Sequence, residues 1–144
     1  MTTVEQSIFI NAAPEAVMTV AGDVNRMSEW FVSVKSADSD GNWPAVDSVM
    51  NIHFKSVRAG VAFTFNFTTL EYVPNEKWVL EVVGEGMFKG VNSWTLTPQD
   101  GGSVVDYKME YELSGSYLEQ VMEPTAYSKS VAHSLNKLKE LVEG

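Results

Sequence analysis

From Met50 to Leu113 the chain keeps returning to one arrangement: apolar residues at alternate positions, broken by short turns rich in Gly, Asn, Asp and Pro. A period of two is the mark of strands that bury one face. Met50, Ile52 and Phe54 alternate with Asn51, His53 and Lys55. Beyond a turn at Arg58-Ala59-Gly60, Val61, Phe63, Phe65 and Phe67 alternate with Ala62, Thr64, Asn66 and Thr68. The phase then passes to Leu70 and Tyr72, a shift that a β-bulge would produce. Trp78, Leu80 and Val82 come next, and after a turn around Gly84-Glu85-Gly86, Phe88, Asn92, Trp94 and Leu96. The hairpin signal Asp100-Gly101-Gly102 leads into Val105, Tyr107, Met109, Tyr111 and Leu113. Short turns between successive strands require antiparallel neighbours.

The flanks supply the rest of the architecture. Val4 to Ile10 has strand composition, and Pro14 to Ala21 reads as a helix, with Pro14 in the first turn and Gly22 at the end. Asp23 is placed to cap a second short helix, Val24 to Trp30, and Phe31 to Ser36 reads as a strand running into the loop Asp38 to Asn42. The closing segment, about Ser116 to Glu143, carries Tyr127, Val131, Leu135, Leu138 and Val142 at spacings of three and four, which is one helical stripe. Pro124 should divide it into a shorter piece and a long helix. No repeat or linker interrupts the chain, so residues 1–144 are expected to form a single domain. The expected class is α+β: a curved antiparallel sheet of about seven strands wrapped around one long C-terminal helix, with two short helices after the first strand. That helix is the one element able to cover the apolar concave side.

Composition narrows the function. At 144 residues the chain buries about two-thirds of its unfolded surface, enough for a core without a metal or crosslink. A net charge of −9 repels phosphate backbones and anionic headgroups, so neither a nucleic acid nor a membrane surface is an expected partner. The absence of cysteine excludes disulfides, thiolate metal sites and a catalytic thiol, and two histidines leave little material for a metal site. No metal and no cofactor are expected. Neither a basic start with an apolar signal core nor a run of about 20 apolar residues is present, and a cytoplasmic location with no stable membrane insertion is expected.

The buried phase is unusually aromatic: Phe54, Phe63, Phe65, Phe67, Tyr72, Trp78, Phe88, Trp94, Tyr107 and Tyr111 share it. Rigid rings close voids less adaptably than leucines, so one helix on a wide curved sheet should leave a pocket walled by aromatic carbon. The bland alternative is that the rings fill the core. Asn92 shares the inward phase, and its amide must bond a ligand oxygen, the backbone or water. Tyr107, Tyr111 and Tyr127 can offer hydroxyls to a ligand oxygen or to a developing enolate, or simply bond the backbone, and Tyr117 is a further candidate. Trp30 lies near the expected mouth, and Val131 is on the inner helical stripe. Trp43 reads equally as a lid residue or an anchor, and Arg58 as a solvated turn residue or a holder of an acidic ligand group. His53 and His133 fall on polar phases, and Asp106, Glu110 and Glu112 on the outer face of their strand. No inward pair of carboxylates, nucleophile motif, phosphate loop or metal spacing is present.

Several segments resemble one known family. Ile8-Phe9-Ile10-Asn11-Ala12-Ala13-Pro14-Glu15-Ala16-Val17 is similar to its opening strand and helix, and Asp23-Val24-Asn25-Arg26-Met27-Ser28-Glu29-Trp30 to its Asp-led short helix ending in Trp. Leu70-Glu71-Tyr72-Val73-Pro74-Asn75-Glu76 and Leu135-Asn136-Lys137-Leu138-Lys139 fit as well. The family is the polyketide cyclase/dehydrase-like branch of the START and birch-pollen-allergen superfamily, and the resemblance spans nearly the whole chain. It implies the helix-grip fold and an internal hydrophobic cavity used for lipids, polyketides, steroids or plant hormones, with only some members being enzymes.

The leading expectation is binding of a hydrophobic small molecule by Trp30, Phe54, Phe63, Phe65, Phe67, Trp78, Phe88, Asn92, Trp94, Tyr107, Tyr111, Tyr127 and Val131. The alternatives are a cyclase or dehydratase using the same cavity, and a non-catalytic, stress-related interaction module.

Overall fold

A computed structural model describes residues 1–58, 61–84, 88–114 and 123–144, with the side chains at 56–58 and 61–62 outside that description. The elements are β1 (Thr2–Ile10), α1 (Pro14–Ala21), a 3₁₀ turn (Val24–Arg26), α2 (Met27–Trp30) and β2 (Val34–Ser39). They are followed by β3 (Val49–Arg58), β4 (Val61–Val73), β5 (Lys77–Gly84), β6 (Phe88–Gln99), β7 (Gly102–Leu113) and α3 (Pro124–Glu143). All strand pairs are antiparallel, in the order β1-β7-β6-β5-β4-β3-β2. This is the helix-grip arrangement, with two short helices crossing between the first two strands.

Local chemistry accounts for the boundaries. Pro14 and Pro124 each stand in a helical first turn, where a missing N–H costs nothing. Asp23 accepts from Asn25 N at 2.9 Å to start the short helical pair, and Glu123 accepts from Thr125 N and Ala126 N, both at 3.0 Å, to start α3. The β6–β7 hairpin turns at Asp100 (φ 49°) and Gly101 (φ 81°), the pair of left-handed residues a two-residue primed turn demands. The helical piece expected before Pro124, together with Tyr117, Glu85 and Gly86 of the turn after Gly84, and the Arg58 side chain, lies outside the described residues.

Two sequence expectations need correction. Phe31 to Ser33 is a turn rather than the start of a strand, and β2 begins only at Val34. Phe31 N caps α2 through Met27 O at 3.0 Å, its ring packs on Trp30 at 5.5 Å, and Ser33 takes φ 68°, which an extended strand cannot accommodate. In β4 the bulge is real but falls at Leu70 itself. Thr69 pairs with Leu80 and Glu71 with Val79, which leaves Leu70 without a partner across the ladder and exposed. Thr69, not Leu70, keeps the inward phase, and Tyr72 recovers it half-buried.

The long helix is tied to one side of the sheet. Its closest neighbours are β1, α1 and α2. Gln6 Nε2 donates to Ser128 O (3.2 Å) and Ser128 Oγ (2.8 Å), Lys139 Nζ to Phe9 O (2.9 Å) and Asn11 N to Glu143 Oε2 (2.9 Å). Across the middle strands, large rings instead of backbone contacts separate helix from sheet.

Close packing of β6 on β7 depends on Gly90, where a Cβ would meet Glu110 O at 2.6 Å and Tyr111 Cβ at 2.9 Å. Gly90→Ala is expected to lower unfolding free energy by about 1–3 kcal/mol, the usual cost of overpacking. A urea midpoint equal to wild type would show that the strands part at no cost.

Candidate functional site

The space between α3 and the middle strands is a cavity of about 140 Å³. A dry apolar cavity of about 150 Å³ is enough for benzene, so the space is of ligand rather than single-water size. Its floor is formed by Phe63, Phe65 and Phe67 of β4, Trp94 of β6, and Tyr107 and Met109 of β7. Tyr127, Val131, Ser134 and Leu135 of α3 form the roof. Trp30, Phe31, Val32 and Ser33 close one side, and Phe54 and Lys55 the end of β3. Ser33, Lys55 and Ser130 line the cavity and are exposed, which marks where it meets solvent.

The rings form a continuous circuit around this space. Trp30 contacts Phe31 (5.5 Å between centroids), Phe31 contacts Phe54 (5.9 Å), Phe54 contacts Phe65 (5.2 Å) and Phe65 contacts Phe88 (4.9 Å). Phe88 stacks on Tyr111 (5.2 Å) and Tyr111 on Tyr127 (5.5 Å). The hydroxyls of Tyr127 and Tyr107 meet at 3.1 Å, Tyr107 packs edge-on against Trp94 (5.3 Å), and Trp94 edge-on against Trp30 (5.9 Å). Such tilted and edge-on geometries are the favoured ones for rings.

Of the residues singled out from sequence, Trp30, Phe54, Phe63, Phe65, Phe67, Trp94, Tyr107, Tyr127 and Val131 come together on the cavity wall. Phe88, Tyr111, Trp78 and Asn92 do not reach it. Phe88 and Tyr111 stand behind the wall as links in the circuit. Trp78 packs near Trp94 at 6.4 Å and donates to Thr69 Oγ1 at 3.1 Å. Asn92 is a strut: Nδ2 donates to Lys108 O and Oδ1 accepts from Trp94 Nε1, each at 2.9 Å, so of the partners its inward phase left open the amide has taken the backbone, and it fixes the Trp94 ring. Trp43 packs edge-on against Trp78 at 5.2 Å, away from the cavity.

Sequence reasoning missed Phe31, Ser134, Met109 and Leu135 as lining residues. Met109 and Leu135 share the phases of Tyr107 and Val131, so periodicity could have found them. Ser134, three residues after Val131, is a polar position outside the apolar stripe of its helix; its Oγ accepts from Val32 N at 2.9 Å and fastens the side loop to α3. On the opposite face of the sheet, His53 is held by Asp38 Oδ2 (2.8 Å) and Thr64 Oγ1 (3.0 Å), and His133 is exposed. Bonds from Asn51 and His53 hold the Asp38 carboxyl below its usual range.

Electrostatics inside the cavity is set by the tyrosines. Burial pushes the Tyr107 hydroxyl up to about 12, although its bond to Tyr127 pulls the other way. Burial, reinforced by Tyr107, raises Tyr127 well above the ordinary phenol range, and burial with the Glu123 charge raises Tyr111. Among the described residues no group of three or more His, Asp or Glu side chains is placed to hold a metal.

The model of one protein family, described as polyketide cyclase/dehydrase and lipid transport, matches residues 1–143. The chain belongs to that family. Solved structures agree in fold. Protein CV1439 from Chromobacterium violaceum is 20% identical with a TM-score of 0.81, covering 99% of this chain and 97% of that one. A conserved protein from Geobacillus kaustophilus is 19% identical at 0.81, covering 99% and 95%. TTHA0849 from Thermus thermophilus is 20% identical at 0.79, covering 98% and 97%. No curated protein matches the chain. Among the described residues no helix is long and apolar enough to cross a membrane.

The buried phenols give this family member a defined alkaline response. Because the folded Tyr107 holds its proton up to about 12 against 10.0 for an ordinary phenol, stability is intact below pH 10 and falls between the two values. Each such phenol contributes a slope of up to about 1.4 kcal/mol per pH unit. Phenolate absorbance should lag in the native protein, and Tyr107→Phe should lose part of the alkaline destabilisation. Full ionisation of all tyrosines near pH 10 with the fold intact would contradict the assigned burial.

Proposed function

We propose that the protein binds a hydrophobic small molecule, lipid-, polyketide- or steroid-like, in the cavity beneath α3. The observation that carries this reading is the closed circuit of aromatic rings around a space of about 140 Å³. Apolar burial at about 25 cal/mol per Å² supplies most of the affinity. Trp30, Phe54, Phe63, Phe65, Phe67, Trp94, Tyr107, Tyr127 and Val131 are the proposed contacts, with Phe88, Tyr111, Trp78 and Asn92 holding them in place. The family's description, which names both polyketide chemistry and lipid transport, supports the ligand class. The reading includes a single domain working in the cytoplasm, without metal, cofactor or nucleic acid, in keeping with the net charge of −9.

One observation favours a cyclase or dehydratase as the second reading. Tyr107 and Tyr127 meet inside the cavity as paired phenols that stay protonated, and a phenol can donate to an enolate oxygen as it develops. The shape of the cavity would then hold the reacting chain in a folded conformation.

Native mass spectrometry of freshly purified protein is expected to show a co-purified organic adduct. Saturation-transfer NMR should show naphthalene binding to protein stripped of that adduct. Val131→Trp, which puts an indole into the cavity, should weaken naphthalene binding more than tenfold while leaving the melting temperature within a few degrees. Wild-type protein that carries no adduct and shows no transfer from naphthalene would overturn the binding reading. Conversion of the bound molecule by wild type but not by Tyr107→Phe would favour the second.

A further inference from the structure

The polar groups of the cavity share one character. Among the described residues its lining contains no Asp, Glu, His, Asn or Gln side chain, although the chain carries 19 acidic residues. What it offers instead is hydrogens. In the Tyr107–Tyr127 pair one hydroxyl must donate to the other, which leaves the second hydrogen with no acceptor among the described residues. Ser134 Oγ accepts from Val32 N, and its own hydrogen has no acceptor among the described residues. Trp30, 2% exposed, lines the cavity, and its Nε1–H meets no acceptor among the described residues. A buried donor left unmade costs free energy, whereas an occupant carrying an acceptor recovers it. Water can serve the same donors, so an occupant unable to replace that water's bonds binds less well.

We infer that the cavity selects an uncharged ligand carrying a carbonyl oxygen, which accepts a hydrogen bond from the Tyr107–Tyr127 pair. This rests on the reading of the cavity as a binding site and adds to it the ligand's polar group and the residues that read it. A plain hydrocarbon leaves the donors unmet. A carboxylate would bring a charge into an apolar chamber where, among the described lining residues, the one cation is the exposed Lys55. An ammonium would leave its water for ring faces and hydroxyl oxygens alone, with no carboxylate among the described lining residues to pair with it. The high ionisation points of both phenols keep the pair a donor through the whole neutral range.

Indane and 1-indanone test this, being the same bicycle with and without a carbonyl. Their dissociation constants are measured by ligand-observed NMR on wild type and on Tyr107→Phe/Tyr127→Phe. Because the two ligands differ in hydrophobicity, the informative quantity is the ratio of their affinities and its change between proteins. Loss of both hydroxyls should shift that ratio against 1-indanone by about tenfold, with indane, which no longer strands those donors, binding no more weakly than to wild type. In wild type the carbonyl stretch of bound 1-indanone should lie at lower frequency than in cyclohexane, a readout that needs no variant and stands if the double variant does not fold. Indane and 1-indanone both binding, with an unchanged ratio or a cyclohexane-like stretch, would overturn the carbonyl assignment and leave the binding reading intact. Failure of both ligands to bind wild type would overturn the two together.

Discussion

The cavity exists because α3 is fastened at its edge rather than pressed onto the sheet. Gln6 grips Ser128 near one end, and Lys139, with Glu143, grips the Phe9–Asn11 stretch near the other. Between them Ser134 holds the loop after α2. These ties set the height of the helix along β1, while the sheet curves away towards β3 and β4. Without them the helix could sink into the gap and gain burial, since protein interiors otherwise pack to crystal density. Individually each bond is worth about 1 kcal/mol, but they act at both ends of one rigid rod. The rod cannot descend without breaking several at once.

Aromatic rings then keep the gap open. An unfilled space of about 140 Å³ costs about 3 kcal/mol at the usual price per volume, a substantial share of a domain's stability. Leucines and methionines would bend into such a space; rings with two torsions, locked edge-to-face around a circuit, do not. The polar atoms behind the wall serve the same end. Asn92 spends its amide on Lys108 O and the Trp94 indole, and Thr69 receives Trp78. A buried amide used this way fixes a ring's rotation, which apolar contact alone leaves loose. Retaining a void at that cost, where Ser134 enlarged to leucine would close part of it, is the pattern of a site kept for function at the expense of stability.

What the sequence made legible was facing, and what it hid was depth. Alternation identified Phe63, Phe65, Phe67, Trp94 and Tyr107 as inward, and all of them are buried. The same alternation placed Phe88, Trp78 and Tyr111 inward with equal force, yet they stop short of the cavity. Period two says which side of a sheet a residue occupies and nothing about how far the helix stands from it. That distance depends on curvature and on ties such as Gln6 to Ser128, which join residues 122 apart in sequence. Phe31 was misread for a related reason. Its neighbours Val32 and Val34 suit a strand, but Trp30, Phe54 and Met27 draw it into a turn through contacts the local sequence does not display. The bulge left a local trace, because Leu70 breaks the phase, although the phase alone could not say that Leu70 itself turns outward.

The distribution of titratable groups also bears on what the cavity can do. Among the described residues the one histidine–carboxylate pair, His53 with Asp38, sits on the opposite face of the sheet, spread over strand surface with Thr64 and Asn51. Among the described lining residues the polar groups are two phenols, the hydroxyls of Ser33, Ser130 and Ser134, two indoles and, at the mouth, Lys55. Such a chamber is suited to stabilising negative charge that builds on a ligand oxygen and poorly suited to removing a proton from carbon, because its described lining holds no carboxylate or imidazole to act as a base. Binding needs only the first of these capacities. A cyclisation or dehydration in the same space would need the proton to leave through the ligand itself or through water entering past Ser33 and Lys55. The donors would then lower the barrier by stabilising the enolate, and the ring-walled shape would choose which carbon meets which carbonyl.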